Sequence, residues 1–108
     1  MSEARVVLST CPDAGTAEAL ARALVDERLA ACVNLVPAVR SIYRWQEEVQ
    51  QAGEVLLLVK TTAANVAAVT ARIEELHSYE VPEVVVIRAD GGSAGYLEWI
   101  ARQVQGER

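Results

Sequence analysis

A chain of 108 residues with 52% hydrophobic content predicts one globular domain spanning residues 1–108 and argues against disorder. A formal net charge of −5 and a single lysine, Lys60, leave no basic patch for a phosphate backbone, so nucleic acid is not the expected partner. No apolar run approaches the roughly 18 residues of a membrane helix, and Ser2-Glu3-Ala4-Arg5 does not read as a signal peptide. The expectation is a soluble, cytoplasmic protein without a membrane partner. Cys11 and Cys32 lack CxxC spacing and fit free thiols in a reducing compartment.

Arg5-Val6-Val7-Leu8-Ser9-Thr10 is β-branched and predicts a strand, closed by Thr10-Cys11-Pro12-Asp13. Asp13 suits an N-cap, and Ala17, Leu20, Ala21 and Leu24 then recur at helical spacing to about Arg28. Ala31 to Trp45 reads as one long strand, bent or bulged at Pro37, which cannot donate to a ladder. Beyond the bend, Val39, Ser41, Tyr43 and Trp45 share one face and Arg40, Ile42 and Arg44 the other. The polar stretch Gln46 to Gly53 predicts a turn, from which Glu54 to Thr61 returns to complete a long hairpin. Thr62 is the expected cap of a second helix, with Val66, Val69, Ile73 and Leu76 as its apolar stripe, ending near His77. Val84 to Ile87 predicts a fourth strand, and Ser93 caps a last helix carrying Tyr96, Leu97, Trp99, Ile100 and Val104; Gly106-Glu107-Arg108 is expected to fray.

The order is βαββαβ plus a helix. With right-handed crossovers this predicts an α+β, ferredoxin-like sandwich: a four-stranded antiparallel sheet with two helices on one face, a long central hairpin and an extra C-terminal helix. Val55 to Val59 is apolar without alternation, as in a strand covered on both faces, yet the first two helices cover only one. The hairpin edge beyond Pro37 is also unprotected. Other copies of the chain are therefore expected to cover the remainder, and edge pairing in a closed ring meets both needs.

Reactive residue types gather in His77-Ser78-Tyr79-Glu80-Val81-Pro82-Glu83, which holds the only histidine. Cys11, at a strand end beside a helix start, is placed as a thiolate would be, or is a small hydrophobe in a turn. The start of the first helix and the end of the second are expected at opposite ends of parallel helices, so Cys11 and His77 meet only across an interface. His77 with Glu80 and Glu83 is a thin ligand set for a weak metal site at a subunit contact. Alternatively His77 is a helix C-cap whose charge meets the dipole. Cys32 is expected in the core. Tyr43 and Trp45 suit interface packing better than base stacking, given the acidic charge. Lys60 either snorkels to water or neutralises a carboxylate such as Glu83. An acylphosphatase-like reaction needs an arginine in the loop after the first strand, and Cys11 to Gly15 has none.

Several of these segments together resemble the CutA family of divalent-cation tolerance proteins. They are Thr10-Cys11-Pro12, Glu27 to Pro37, Ser41 to Gln46, Leu58 to Thr62, His77 to Glu83 and Tyr96 to Ile100, in order and at family spacing. The resemblance implies a tight homotrimer joined through its hairpins, as in the PII signalling proteins, with no required cofactor and no established reaction. It implies a link to tolerance of copper and other divalent ions, with a PII-like regulatory hub as the alternative. Metal would then fall to His77, Cys11, Glu80 and Glu83, and the cleft to Lys60, Tyr79, Trp45 and Tyr43. Two positions depart from the family pattern: Ser78 stands where proline is common, and Ser9 where some bacterial relatives carry a cysteine proposed to bind copper. Cys11 matches the Thr-Cys-Pro form of other members.

Overall fold

The computed structural model describes residues 3–104, so the expected fraying of Gly106 to Arg108 lies outside the described residues. The elements are β1 (Ala4–Cys11), α1 (Ala14–Asp26), β2 (Cys32–Trp45), β3 (Glu48–Thr62), α2 (Val66–Leu76), β4 (Val85–Arg88) and α3 (Ala94–Gln103), with a 3-10 turn at Ala63–Asn65 before α2. The strands form one antiparallel sheet in the order β2-β3-β1-β4. This is the predicted ferredoxin-like α+β sandwich, with its long hairpin and extra helix.

Local chemistry sets the helix ends. Asp13 Oδ1 accepts from the Thr16 N–H at 2.8 Å and Ser93 Oγ from the Tyr96 N–H at 3.3 Å, as their N-cap positions require. Helix α1 closes without a glycine. Arg28 takes φ 59°, the Leu29 N–H reaches Leu24 O at 2.9 Å and the Arg28 N–H reaches Val25 O at 3.0 Å, the paired bonds of a Schellman motif. Thr62 differs from expectation. It caps the 3-10 turn rather than α2, and its hydroxyl accepts from Asn65 Nδ2 at 3.0 Å.

One face of the sheet carries Val7, Cys11, Val55, Leu57 and Val59 against Leu20 and Leu24 of α1 and Val69 and Ile73 of α2. Burying each large aliphatic side chain here stabilises the fold by about 1.5–3 kcal/mol. The opposite face holds Leu56, Leu58 and Lys60, half-buried. Helix α3 packs on β3 and β1 at the Lys60 end of that face, leaving the rest open. Cys32, expected in the core, pairs with Lys60 on this second face and is only half-buried, because α1 and α2 lie on the other side.

Strand pairing also corrects the expected helix directions. Strands β1 and β2 both run antiparallel to β3, so α1 returns along β1 in one sense and α2 along β3 in the other. The helices are antiparallel, and the start of α1 and the end of α2 share one end of the sandwich.

The hairpin is longer and its turn shorter than predicted. Gln46 and Glu47 lie at φ 50° and 71°, the positive pair that a type I′ turn requires and whose twist matches the flanking strands. Residues 48–53, expected in a turn, pair one for one with Trp45 back to Arg40 as strand, because the ladder satisfies their backbone groups while their side chains stay in water. At Pro37 the predicted bulge is present: the register slips between Val36 and Val39, with Ala38 at φ 63°. The outer strands are open edges, with Ile42 71% exposed on β2 and Val85, Val86 and Ile87 exposed on β4.

Ser9 points from β1 into the helix-covered core, fully buried, and its hydroxyl has no hydrogen-bond partner among the described residues. An unsatisfied buried hydroxyl costs about 1–3 kcal/mol. Ser9→Ala is therefore expected to raise the urea midpoint, worth about 1 kcal/mol after the lost packing. A lower midpoint would mean the hydroxyl has a partner after all.

Candidate functional site

The segment after α2 is fixed to the end of β1 by one side chain. His77 takes the C-cap position, its N–H still bonded to Ile73 O at 2.9 Å, and its φ/ψ of −75°/147° ends the helix. Its imidazole turns inward, away from the helix carbonyls. Nε2 donates to Thr10 O at 2.6 Å, and Nδ1 accepts the Tyr79 N–H at 3.0 Å. This pairing requires the Nε2–H tautomer, because Nδ1 must keep its lone pair for the amide. Both ring nitrogens are occupied, and the imidazole is buried with the Tyr79 ring centroid 4.6 Å away.

Once turned by this bond, Tyr79 reaches under the hairpin, where its hydroxyl donates to Glu54 Oε2 at 2.7 Å. Burial, then the hydrogen bond to the Glu54 carboxylate and its charge, hold the Tyr79 phenol well above the usual tyrosine range. Between the hairpin and this segment lies a cavity of about 360 Å³, lined by Thr10, Ser41, Tyr43, Trp45, Glu54 and Tyr79 with Glu80, Val81 and Glu83. Three carboxylates and three aromatic rings face it, and among the described residues no lysine, arginine or histidine does. Thr10 Oγ1 lies 3.5 Å from Glu83 Oε1, a long contact that ties the mouth to β1.

Of the expected cleft residues, the fold brings Tyr43, Trp45 and Tyr79 together and leaves Lys60 apart. Lys60 Nζ donates to Asn34 Oδ1 at 2.6 Å and stands 5.8 Å from the Tyr96 ring centroid. In the ladder Lys60 is four residues from Leu56, the partner of Thr10, so it lies about 13 Å along the strand from the cavity. It neither neutralises Glu83 nor simply snorkels. Of the expected metal ligands, Glu80 and Glu83 line the cavity, whereas His77 has its nitrogens engaged behind it. Cys11 is fully buried against the helices, and burial first, then the charges of Asp13 and Glu54, push its thiol up to about 11. That is opposite to the thiolate expected from a helix start: desolvation outweighs the dipole. Among the described residues no group of three or more His, Cys, Asp and Glu side chains is placed to hold a metal ion. The quartet is not assembled within one protomer. Sequence reasoning missed Glu54, Ser41 and Thr10 as lining residues. The one signal for Glu54 is a carboxylate abutting the apolar run Val55 to Val59.

Comparison with known proteins places this arrangement. The family model described as CutA1 divalent ion tolerance protein matches residues 5–103. The chain belongs to the CutA1 family. It is 50% identical over 95 residues to the divalent-cation tolerance protein CutA of Thermus thermophilus, covering 88% of this chain and 92% of that protein. With the human protein CutA it shares 44% identity over 95 residues, 88% of this chain but 52% of the human protein, so it spans about half of that relative. The crystal structure of CutA from Xylella fastidiosa superposes with a TM-score of 0.94 at 41% identity, covering 96% of this chain and all of the other. A CutA structure from Archaeoglobus fulgidus, described as periplasmic, gives 0.91 at 31% identity, covering 94% and 99% of the two chains. CutA1 proteins are named for tolerance rather than for a reaction. No helix among the described residues is long and apolar enough to cross a membrane.

The Cys11 thiol has a pH consequence. Its ordinary value is 9.0 and its folded value about 11, so the fold holds the proton where the unfolded chain releases it. Stability from this group is complete below pH 9 and is lost as pH rises toward 11, by at most about 1.4 kcal/mol per pH unit. Tyr79 acts with the same sign at higher pH. Urea midpoints measured from pH 8 to 11 are expected to fall, and less steeply in Cys11→Ala; equal slopes would remove Cys11 as the cause.

Proposed function

We propose that this chain serves divalent-cation tolerance as a homotrimer, binding copper or another divalent ion weakly at clefts between subunits and catalysing no reaction of its own. The observation that carries the reading is the CutA1 family match across residues 5–103, with the tolerance named for its Thermus relative. The two open edges of the sheet support assembly. The exposed β2 edge of one copy and the β4 edge of the next are both antiparallel-competent and apolar, and successive pairings close a ring. Closure at three subunits is taken from the family resemblance.

The cavity carboxylates support cation binding. Glu80 and Glu83 are exposed at the mouth with no cationic side chain lining it among the described residues, and a second subunit completes the ligand set that those residues lack. His77 then acts by holding the segment, and Cys11 by packing beneath it. Two unpaired cysteines support a reducing, cytoplasmic setting, unlike the periplasmic one named for the Archaeoglobus relative. A PII-like docking hub loses its motivating loop, since Gln46 to Gly53 shrinks to a two-residue turn.

Light scattering is expected to give about three times the 11.7 kDa chain mass. A value of one chain mass would refute the assembly. Calorimetric titration of Cu(II) is expected to show weak binding, reduced about tenfold or more in Glu80→Gln/Glu83→Gln. Isotherms identical to wild type would sink the role of the carboxylates.

A further inference from the structure

The two partners of the His77 ring have no choice of role. The Thr10 carbonyl can only accept, so Nε2 carries a proton, and the Tyr79 amide can only donate, so Nδ1 keeps its lone pair. Only the neutral imidazole satisfies both. A second proton would sit on Nδ1 and face the Tyr79 N–H, donor against donor, and that bond breaks. The bond to Thr10 O survives and strengthens, because an imidazolium N–H is the better donor. Proton uptake therefore divides the fastening: the ring stays on β1 and the segment after it is let go.

The ring is buried and both partners belong to its own chain, so subunits packed on the hairpin neither make nor replace these bonds. Downstream, the Tyr79 amide sets the direction in which the phenol reaches Glu54 Oε2. The other tie, Thr10 Oγ1 to Glu83 Oε1 at 3.5 Å, is too long to hold the segment alone. Ser78, Glu80, Val81 and Glu83 are exposed, so water can take the freed backbone groups.

The groups around the ring leave it the only one that changes charge near neutrality. On its own segment stand Tyr79, Glu80 and Glu83, and on β1 stands Cys11. Glu54 of β3 and Tyr43 of β2 lie beyond the Tyr79 phenol, and Asp13 at the start of α1 acts on Cys11. On α2 the last turn carries Glu74 and Glu75, and the Arg72 guanidinium is tied to Glu75 and to Glu27. Carboxylates ordinarily titrate at about pH 4. The Cys11 thiol is pushed up to about 11 and the Tyr79 phenol above its usual range. Imidazole is the side chain whose ordinary charge change falls between about pH 5 and 8, and the chain has one.

We propose that His77 is a pH-operated latch. Neutral, it fastens the segment from Ser78 to Glu83 to β1 and sends Tyr79 to Glu54; protonated at Nδ1, it keeps Thr10 and releases the segment. The inference rests on bonds within one protomer and stands whether or not the cleft binds metal.

The test follows the single imidazole by long-range nitrogen–proton NMR on the full chain from about pH 8 to 5, with hydrogen exchange at the Tyr79 amide. Protection of that amide, corrected for the pH dependence of free-amide exchange, is expected to fall about tenfold at the same midpoint as the ring, the worth of one hydrogen bond. His77→Gln, which offers a donor and an acceptor on a side chain that does not titrate, should stay fastened throughout. His77→Ala should be released at both ends of the range, with the circular dichroism of wild type. Glu54→Gln should keep the transition. Protection that is constant in wild type, that falls at a different midpoint from the ring, that falls alike in wild type and His77→Gln, or that no longer changes in Glu54→Gln would overturn the proposal. If glutamine does not seat and reads as released throughout, the coincidence of the two midpoints in wild type and in Glu54→Gln decides.

Discussion

The imidazole of His77 pins the segment after α2 to the end of β1. Through Nε2 it takes the Thr10 carbonyl at the end of β1, and through Nδ1 it takes the Tyr79 amide two residues on. With both nitrogens engaged, the backbone after α2 has one direction in which to leave. Tyr79 is swung under the hairpin to Glu54, and Glu80 and Glu83 follow to the rim of the same cavity. A lysine or arginine could not do this, since neither offers a donor and an acceptor on one rigid ring. The chain's single histidine is thus consumed by architecture, and chemistry at this end of the molecule is left to carboxylates, phenols and an indole.

That conclusion inverts what residue type alone suggests. A buried thiol and an imidazole near one another invite a nucleophile-base reading, and antiparallel helices do bring the two to the same end. The physical chemistry goes the other way. Desolvation keeps the Cys11 proton on sulfur, and the His77 lone pair is already committed to an amide. The same negative field from Glu54 that raises the Tyr79 phenol also raises the Cys11 thiol, so this end of the sheet favours cations over nucleophiles.

What could be read from the sequence is what is decided locally. Asp13 and Ser93 mark helix starts because their side chains bond amides three residues away, and Pro37 marks a bulge because it lacks a donor. The turn at Gln46-Glu47 escaped because neither residue is the asparagine or glycine that usually adopts positive φ, and the polar stretch beyond it looks like a loop until its partner strand is known. The end of α1 near Arg28 was legible from where the helical spacing stops, but its left-handed cap was not, for the same reason. At the site, Tyr79, Tyr43 and Trp45 were expected in a cleft from the family resemblance, whereas the types of Tyr43 and Trp45 alone suited interface packing. The roles of His77 and Glu54 were not, since each depends on a partner far along the chain: Thr10 is 67 positions from His77, and Tyr79 is 25 from Glu54.

The slip at Pro37 and Ala38 makes the site a matter of parity. On the β2 side of the bulge nearer the sheet, Asn34 and Val36 share a face with Leu58 and Leu56; beyond it, Val39, Ser41, Tyr43 and Trp45 share that face with Glu54 and its neighbours. Even-numbered positions hand the face to odd-numbered ones across one extra residue. Side chains alternate strictly along a strand, so a ladder that kept that residue but absorbed it without the bulge would turn Tyr43 and Trp45 to the far side and bring Ile42 and Arg44 into the cavity. Exchanging residues along this hairpin alters the cavity by degrees. Straightening it between Val36 and Val39 with every residue kept would replace the whole aromatic wall at once.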